Sequence, residues 1–426
     1  MNSPMKLLKA ALILDGKGGP SLHNGAILVE GHRIKAIGKA ADFDTDPQAE
    51  IVDFGSLTLT PGFIDTHVHL SGSGKDTAPM DMHDEDQDTL LVRCAANAWI
   101  AICEGVTTVR DCGARNDVIF PFKAAVRRKA VPSPKLLAAG GAFTRTGGYC
   151  WFFGCEADTA DELRKGIRSQ VKRGADFIKI MVTGGIEFKP PKSLPGLLYF
   201  DEGMMRLAVQ ETTELGRYVA AHCLGTNGIR ASVAAGVRSI EHCAFYDGVT
   251  NRADYDPRLG DEIVRKGIFV NASHAFCYVA GCHAKENPET SDPRLLRLGA
   301  IRQEWVKTSS KLRELGAKLI PGSDGGWYAQ PFGEYAYMPI LLVDEVGMTA
   351  KQAFEACTRV AAESIGMLDQ VGTLEPGKAA DIVAINGDPT EDIRAMGRVR
   401  MTMIDGEVLF REDVLGSQHR PVKTHD

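Results

Sequence analysis

The amino-acid sequence predicts an α/β fold, a (β/α)8 TIM barrel accompanied by a small composite β-sandwich domain. Two observations predict it. In the middle of the chain, strand-like apolar runs alternate with amphipathic helix-like stretches, which is typical of repeated β/α units around a parallel sheet. At both ends, short apolar runs alternate with glycine-containing turns. We therefore expect residues 1–60 and 370–426 to form the sandwich and residues 61–369 to form the barrel.

Composition excludes several other classes of protein. Of the 426 residues, 44% are hydrophobic and 24% are charged, and the net charge is −6. This balance is typical of a globular chain and gives no general attraction to nucleic acid. No apolar stretch of about 18 residues occurs, so we expect no membrane span. The ten cysteines are scattered without a CxxC pair, which favours reduced thiols and a cytoplasmic protein.

The two ends of the chain share one pattern of short strands. The N-terminal runs are KLLKAALIL, GAILVE, RIKAI and IVDFGSLTL, and the C-terminal runs lie in GTLEPGKAADIVAING and MTMIDGEVLF. Lys9 interrupts the first apolar run, which therefore fits a strand better than a signal peptide. We expect the two β-rich ends to pair with each other into one small domain.

Eight apolar runs between these ends predict the strands of the barrel, the number that closes such a fold. They are Phe63 to Leu70, Thr107 to Cys112, Lys135 to Gly140, Phe177 to Val182, Tyr218 to Cys223, Ser239 to Ala244, Phe269 to Ser273 and Lys318 to Asp324. Three of the intervening helices are predicted at Asp161 to Lys172, Glu202 to Leu215 and Arg294 to Leu315. The sequence has neither of the common nucleotide-binding glycine loops, which disfavours a doubly wound open sheet.

Ionisable residues gather where the predicted strands end, which is where a β/α barrel places its catalytic side chains. The first strand ends in Asp-Thr-His67-Val-His69. Because side chains of a strand alternate, both imidazoles lie on one face about 7 Å apart and can reach one metal ion. His222 and His242 occupy equivalent positions on the fifth and sixth strands. Such repetition is hard to explain by packing alone.

Two further residues complete the pattern. Lys179 lies in the middle of the apolar fourth strand, where an unpaired ammonium is costly. It is therefore paired, neutral or modified; the alternative is a lysine at the strand end that extends its ammonium to solvent or pairs with a carboxylate such as Glu187. Asp324 follows the eighth strand among glycines, as a metal ligand or as a helix N-cap. Imidazole and carboxylate together suit zinc, manganese or iron better than calcium or magnesium.

With these motifs in order, the chain resembles the amidohydrolase superfamily of metal-dependent hydrolases. The resemblance runs from PGFIDTHVHL through GADFIKIM, EHC and GSD to GTLEPGKAADIVAIN. Within the superfamily, the sequence is similar to the imidazolonepropionase-like peptidase branch, which includes Xaa-Pro dipeptidases, zinc-dependent carboxypeptidases and ochratoxin-type amidases. Such relatives hydrolyse amides of amino acids.

The resemblance implies two divalent metal ions, which we expect to be zinc, and it implies a role for each ligand. His67, His69 and Asp324 would bind one ion, and His222 and His242 the other. Lys179 would carry a carbamate formed with CO2 and bridge both ions. Asp324 would also be catalytic, as the base that takes a proton from a metal-bridging hydroxide and the acid that returns it to the leaving amine.

The resemblance also predicts the substrate. We expect an N-acyl amino acid, a dipeptide or a related small amide; a urea, carbamate or lactam is the alternative. A non-catalytic barrel with structural histidines is a third interpretation. A homo-oligomer is expected by resemblance only.

The loop from Gly140 to Gly154 follows the third predicted strand and ends in aromatic residues. Peptidase relatives commonly carry a histidine where Tyr149 stands. Arg145 or Tyr149 would bind a substrate carboxylate, and Trp151 an apolar group; a loop that only packs on the rim is equally consistent with the sequence. His274, after the seventh strand, is a further substrate-binding candidate.

Overall fold

The structure is a computed structural model that describes residues 5–43, 49–186, 194–250, 252–272, 278 and 293–412, the side chains of 293–301 excepted. His274, Glu187 and Ser273 lie outside the described residues. Within these residues, no helix combines the length and the apolar character that crossing a membrane requires.

One mixed sheet joins the two ends of the chain. Its strands are β1 (Met5–Ile13), β2 (Leu22–Glu30), β3 (Arg33–Lys39), β4 (Ala49–Asp53), β5 (Thr58–Pro61), β16 (Ile382–Ile385), β17 (Val399–Ile404) and β18 (Glu407–Arg411). The spatial order is β18-β17-β16-β5-β1-β2-β3, and β4 also pairs with β1. The N- and C-terminal segments meet where β16 pairs antiparallel with β5. Because these strands belong to a single sheet, the sandwich stays a prediction.

The middle of the chain contains parallel strands. They are β6 (Phe63–Val68), β7 (Val106–Asp111), β8 (Lys135–Ala138), β9 (Phe143–Thr144), β10 (Cys155–Glu156), β11 (Ile178–Met181), β12 (Val219–Gly225), β13 (Ser239–Tyr246), β14 (Phe269–Asn271) and β15 (Leu319–Ile320). Strands β6, β7 and β8 form one sheet, and the others form a second sheet in the order β10-β9-β11-β12-β13-β14-β15. Each of the eight predicted segments contains or overlaps one of these strands.

Backbone hydrogen bonds link the two parallel sheets at both junctions. On one side, the amide of Thr66 donates to the carbonyl of Pro321 (3.2 Å), and that of His69 donates to Gly325 (2.8 Å). On the other side, the amide of Asp176 donates to the carbonyl of Ala138 (3.0 Å). The metal-ligand candidates of the first and last predicted strands are therefore neighbours.

Helices connect these strands. They are α1 (Ala78–Asp84), α2 (Gln87–Cys103), α3 (Asn116–Arg127), α4 (Ala160–Arg173), α5 (Glu202–Glu214), α6 (Thr226–Ala235), α7 (Pro257–Lys266), α8 (Pro293–Glu314), α9 (Tyr337–Asp344), α10 (Ala350–Glu355) and α11 (Ala361–Ser364), with 3-10 turns at Ala40–Asp42, Trp151–Phe153 and Ile393–Gly397 and a π-turn at Ala356–Val360.

Local sequence signals explain where the predicted helix α4 starts and stops. Thr159 and Glu162 form a reciprocal capping box at its N-terminus, which satisfies amides that the helix itself cannot. Gly174, with φ of 110°, ends it in the left-handed region. Helices α5 and α8 likewise match the predicted segments to within a residue or two.

The end of α2 is tied to the strand that carries the first two histidines. The carboxylate of Glu104 accepts the amides of Gly333 (3.0 Å) and Tyr335 (2.8 Å). The Tyr335 hydroxyl then donates to the carbonyl of Ile64 in β6 (2.9 Å). Burial raises the pKa of the Glu104 carboxyl to about 8, although the two amides oppose this.

We predict that Glu104 makes the free energy of unfolding fall as the pH rises from about 4.5 to about 8. In this window the folded state keeps a proton that the unfolded chain has released, so raising the pH favours unfolding, by at most about 1.4 kcal/mol per pH unit. Glu104→Gln should flatten this slope in urea unfolding at several pH values. Asp161→Asn, on a 93% exposed side chain, should leave it unchanged; an unaltered slope in Glu104→Gln contradicts the prediction.

Candidate metal centre

Six predicted metal-ligand candidates lie within the parallel strands or just after them. They are His67 in β6, His69 directly after it, Lys179 in β11, His222 in β12, His242 in β13 and Asp324 after β15. Each is 7% exposed or less. The parallel pairing of β11, β12 and β13 places Lys179 and the two later histidines on neighbouring strands.

The side chains converge on one small volume. Ring centroids are 5.4 Å apart for His67 and His69, 5.2 Å for His67 and His242, and 4.8 Å for His222 and His242. The Lys179 Nζ lies 3.5 Å from the His67 Nε2. Residues that are up to 257 positions apart in the sequence, from His67 to Asp324, thus share one centre.

Three of these residues have the donor atoms of a metal site. One ligand atom each of His67, His69 and Asp324 lies within 4.8 Å of the others. The Asp324 Oδ1 is 3.6 Å from the His67 Nε2 and 3.4 Å from the His69 Nε2.

Hydrogen bonds on the far side of both rings define which nitrogens face Asp324. The His67 Nδ1 lies 2.9 Å from a Glu241 oxygen, and the His69 Nδ1 lies 2.8 Å from the Gly113 carbonyl. Because those oxygens only accept, each Nδ1 carries the proton and each Nε2 presents a lone pair. A cation bound between these two nitrogens and the carboxylate could take one ligand atom from each. The residues therefore fit a metal ion.

The other two histidines differ from this pair in their hydrogen bonding. The His222 Nε2 lies 3.3 Å from the Gly184 carbonyl, which leaves its Nδ1 free of that proton. The buried His242 Nδ1 has no hydrogen-bond partner among the described residues. A buried imidazole nitrogen without a partner is costly in a purely structural role.

The electrostatics keep these histidines neutral, the form that binds metals. Burial, helped by the Lys179 charge, lowers the pKa of His67 to about 3. Burial also lowers the pKa of His242 to about 4 and that of His222 well below its ordinary value. Burial alone would raise the pKa of Asp324, but His67 and His69 hold it below its usual range, so the carboxylate stays ionised.

Strained backbone orients two of the candidates. Asp324 has φ of 59°, and His242 and Cys243 have φ of 69° and 50°. Residues other than glycine adopt this left-handed region rarely, and such residues cluster at functional sites.

Two positions beside the site, Gly322 and Gly326, leave no room for a Cβ atom. A Cβ at Gly322 would lie 2.2 Å from the Asn271 Nδ2 and 2.6 Å from the His67 Cβ. The same is true at Gly326, where a Cβ would lie 2.0 Å from the His69 carbonyl oxygen.

Aromatic rings surround the polar centre. Trp327 lies 4.7 Å from His69 and Trp305 lies 5.7 Å from His242, between ring centroids. Tyr149, a predicted substrate-binding residue, lies 5.1 Å from His222 and is 8% exposed.

The other predicted substrate-binding residues lie farther out. Trp151 is 39% exposed and contacts His83, with ring centroids 5.1 Å apart. Arg145 is exposed, with its guanidinium 4.4 Å from the centre of the Tyr199 ring. Of these three described candidates, Tyr149 is the one that contacts a metal-ligand histidine.

Sequence reasoning missed the residues behind the ligands. The Glu241 carboxylate accepts a hydrogen bond from the His67 ring, and Arg110 forms an ion pair with Glu241 at 2.7 Å. Burial would raise the pKa of Glu241, but Arg110 and His67 hold it well below its ordinary value. Asp65 accepts the Ser323 hydroxyl and so connects the first strand to the Asp324 turn. A signal was present for Asp65 and Glu241, because each is a charged residue beside apolar residues of a predicted strand, as Lys179 is. Arg110 lies in the more polar strand Val-Thr-Thr-Val-Arg-Asp and gave no such signal.

Parallel β/α units that bring imidazole and carboxylate side chains together are typical of metal-dependent hydrolases. The model of the amidohydrolase family matches residues 58–409. The chain belongs to this family, which confirms the resemblance of its motifs.

Individual relatives cover most of the chain. The sequence is 26% identical over 420 residues to the ochratoxinase of Aspergillus niger, covering 91% of this chain and 82% of that protein. It is 24% identical over 417 residues to the imidazolonepropionase of Agrobacterium fabrum, covering 89% and 87%. A crystal structure of a Xaa-Pro dipeptidase with methionine in its active site is 26% identical, with a TM-score of 0.82 over 96% of this chain and 100% of that one. Family and relatives identify the protein as a hydrolase acting on C–N bonds.

We predict that Gly322→Ala lowers stability and metal binding together. The added methyl overlaps Asn271 and the His67 Cβ, and such overpacking typically costs about 1–3 kcal/mol. Urea unfolding and metal analysis of the purified variant measure both effects. Gly19→Ala is the matched control, because nothing lies within 4 Å of a Cβ at Gly19; equal behaviour of the two variants would show that the close approach is unimportant.

Proposed function

We propose that the protein is a binuclear zinc-dependent hydrolase that cleaves the amide bond of an N-acyl amino acid, a dipeptide or a related small amide. One observation carries the proposal: the Nε2 atoms of His67 and His69 lie 3.6 Å and 3.4 Å from the same carboxylate oxygen of the buried Asp324. The names of the ochratoxinase and Xaa-Pro dipeptidase relatives support the choice of an amide of an amino acid.

In this proposal His67, His69 and Asp324 hold one ion, and His222 and His242 hold the second. Imidazole and carboxylate ligands favour zinc. Lys179, 1% exposed and 3.5 Å from the His67 Nε2, would carry the carbamate that both ions share. Carboxylation replaces a buried cation by an anion, which suits a lysine placed among metal ligands.

When bound, the ions supply Lewis-acid chemistry: they lower the pKa of a water molecule and polarise the scissile carbonyl. Asp324 would accept a proton from water bound there and pass it to the leaving nitrogen, because its carboxylate lies within 4.8 Å of ligand atoms of His67 and His69. Trp327 and Tyr149 pack against His69 and His222 and limit the access of bulk water. Tyr149, Trp151 and Arg145 contribute to the substrate pocket, with Arg145 as the cation for a substrate carboxylate.

The remaining expectations belong to the same proposal. The hydrogen bonds at both sheet junctions support closure of the parallel strands into one (β/α)8 barrel over residues 61–369. Residues 1–60 and 370–426 form the composite domain, for which the pairing of β5 with β16 is the support. We propose a cytoplasmic homo-oligomer that acts on a small molecule and binds neither nucleic acid nor membrane.

A substrate panel tests the reaction. We expect zinc-loaded protein, supplied with bicarbonate, to hydrolyse N-acyl amino acids or dipeptides and to lose at least about tenfold in kcat/KM when the α-carboxylate is amidated, since an ionic contact is then lost. Amine release is the measurement. Equal rates with and without the carboxylate, or cleavage confined to aryl ureas, carbamates or lactams, would favour the second candidate, to which Tyr149 in place of the relatives' histidine points.

Lys179→Met tests the carbamate. Methionine has an unbranched side chain of similar length to that of lysine, but it can neither carry CO2 nor bridge metals. We predict loss of one bound zinc per chain and a fall in kcat of at least about 100-fold. Metal analysis and kinetics measure both. A variant that keeps both ions and its activity would make Lys179 a structural residue.

A further inference from the structure

A buried hydrogen-bond network lies directly behind the metal-ligand candidates. Its centre is Glu241, which is fully buried and precedes His242 in β13. Four groups donate to its two oxygens. Arg110 (2.7 Å) and the Ser239 hydroxyl (2.6 Å) donate to Oε1, and the His67 ring (2.9 Å) and Asn271 amide (2.7 Å) donate to Oε2.

Arg110 holds the carboxylate in place and balances its charge. The guanidinium is fully buried and donates through three nitrogens: Nε to the Thr66 carbonyl (2.5 Å), one NH2 group to Ser239 (3.0 Å) and the other to Glu241. Because Thr66 precedes His67, the same network fixes both the backbone and the ring of one ligand.

We propose that Glu241 is a positioning residue that selects the tautomer and orientation of His67 and thereby commits the His67 Nε2 to the metal ion. The proposal rests on the proposed function, because it assumes that His67 is a ligand. A carboxylate oxygen can only accept, so the His67 Nδ1 must donate. Carboxylates behind ligand histidines orient the ring and raise its basicity.

His67 and His69 differ in the group that accepts the hydrogen bond from Nδ1. The His69 Nδ1 donates to the Gly113 backbone carbonyl, whereas the His67 Nδ1 donates to a side chain. A substitution of Glu241 can therefore remove the hydrogen-bond partner of His67 and leave that of His69 in place. The expected effect is confined to the ion that His67 holds.

Glu241→Gln is the first test. The glutamine side chain can point its NH2 group either towards Arg110 or towards His67 and Asn271. The positive charge of Arg110 opposes the first orientation. The second orientation makes the His67 Nδ1 an acceptor and so moves the ring proton to Nε2, the nitrogen that would bind the metal. We expect zinc to bind about 10–100-fold more weakly at one of two sites, by competition with a chromophoric chelator. Nitrogen-15 spectra of histidine-labelled, metal-free protein should show the altered His67 tautomer. Asp381→Asn, which neutralises a buried carboxylate paired with Lys135 at 2.6 Å, should change neither readout.

A matched pair of double variants covers the case in which Glu241→Gln does not fold. Arg110→Met/Glu241→Gln and Arg110→Met/Glu241→Met both remove the two buried charges, but only the first keeps an acceptor for His67. We expect the first to bind zinc at least tenfold more tightly at the affected site. Equal zinc affinities in this pair, or unchanged affinity and tautomer in Glu241→Gln, would overturn the proposal. Wild-type protein that binds no zinc would instead refute the proposed function, while the tautomer of metal-free His67 would still test Glu241.

Discussion

The fold concentrates negative and lone-pair-bearing groups in a dry interior, and this concentration is the constraint on which the rest of the structure depends. His67, His69, His222, His242 and Asp324 are all buried, and burial lowers the pKa of His67, His222 and His242. Buried ligand atoms of this kind need partners, and a cation bound among them would supply one. The surrounding backbone is closely packed at Gly322 and Gly326, and Asp324 lies in a turn with a positive φ.

Much of the fold and of the ligand set could be predicted from the sequence, because both depend on short-range periodicity. A run such as Phe63 to Leu70 identifies a buried strand, and the spacing of His67 and His69 places both on one face. These inferences need no knowledge of loop paths. The predicted equivalence of His222 and His242 is wrong by one residue, because the register of β12 and β13 pairs His222 with Glu241 and Cys223 with His242.

The remaining features depend on contacts between distant segments. Glu241 is adjacent to His242, and strict alternation would turn neighbours to opposite sides; the positive φ of His242 breaks that alternation. Trp327 approaches His69 only because β6 lies beside the segment after β15. The outward position of Trp151 depends on the path of its loop, for which periodicity carries no information.

The pairing of β5 with β16 has a consequence for biosynthesis. β5 ends at Pro61, two residues before the strand that carries His67, and one of its edges is completed only by residues near 385. A nascent chain emerging from the ribosome therefore exposes that edge until almost the entire polypeptide has been translated. The sheet that precedes the strand carrying His67 can therefore be completed only in the last stage of synthesis.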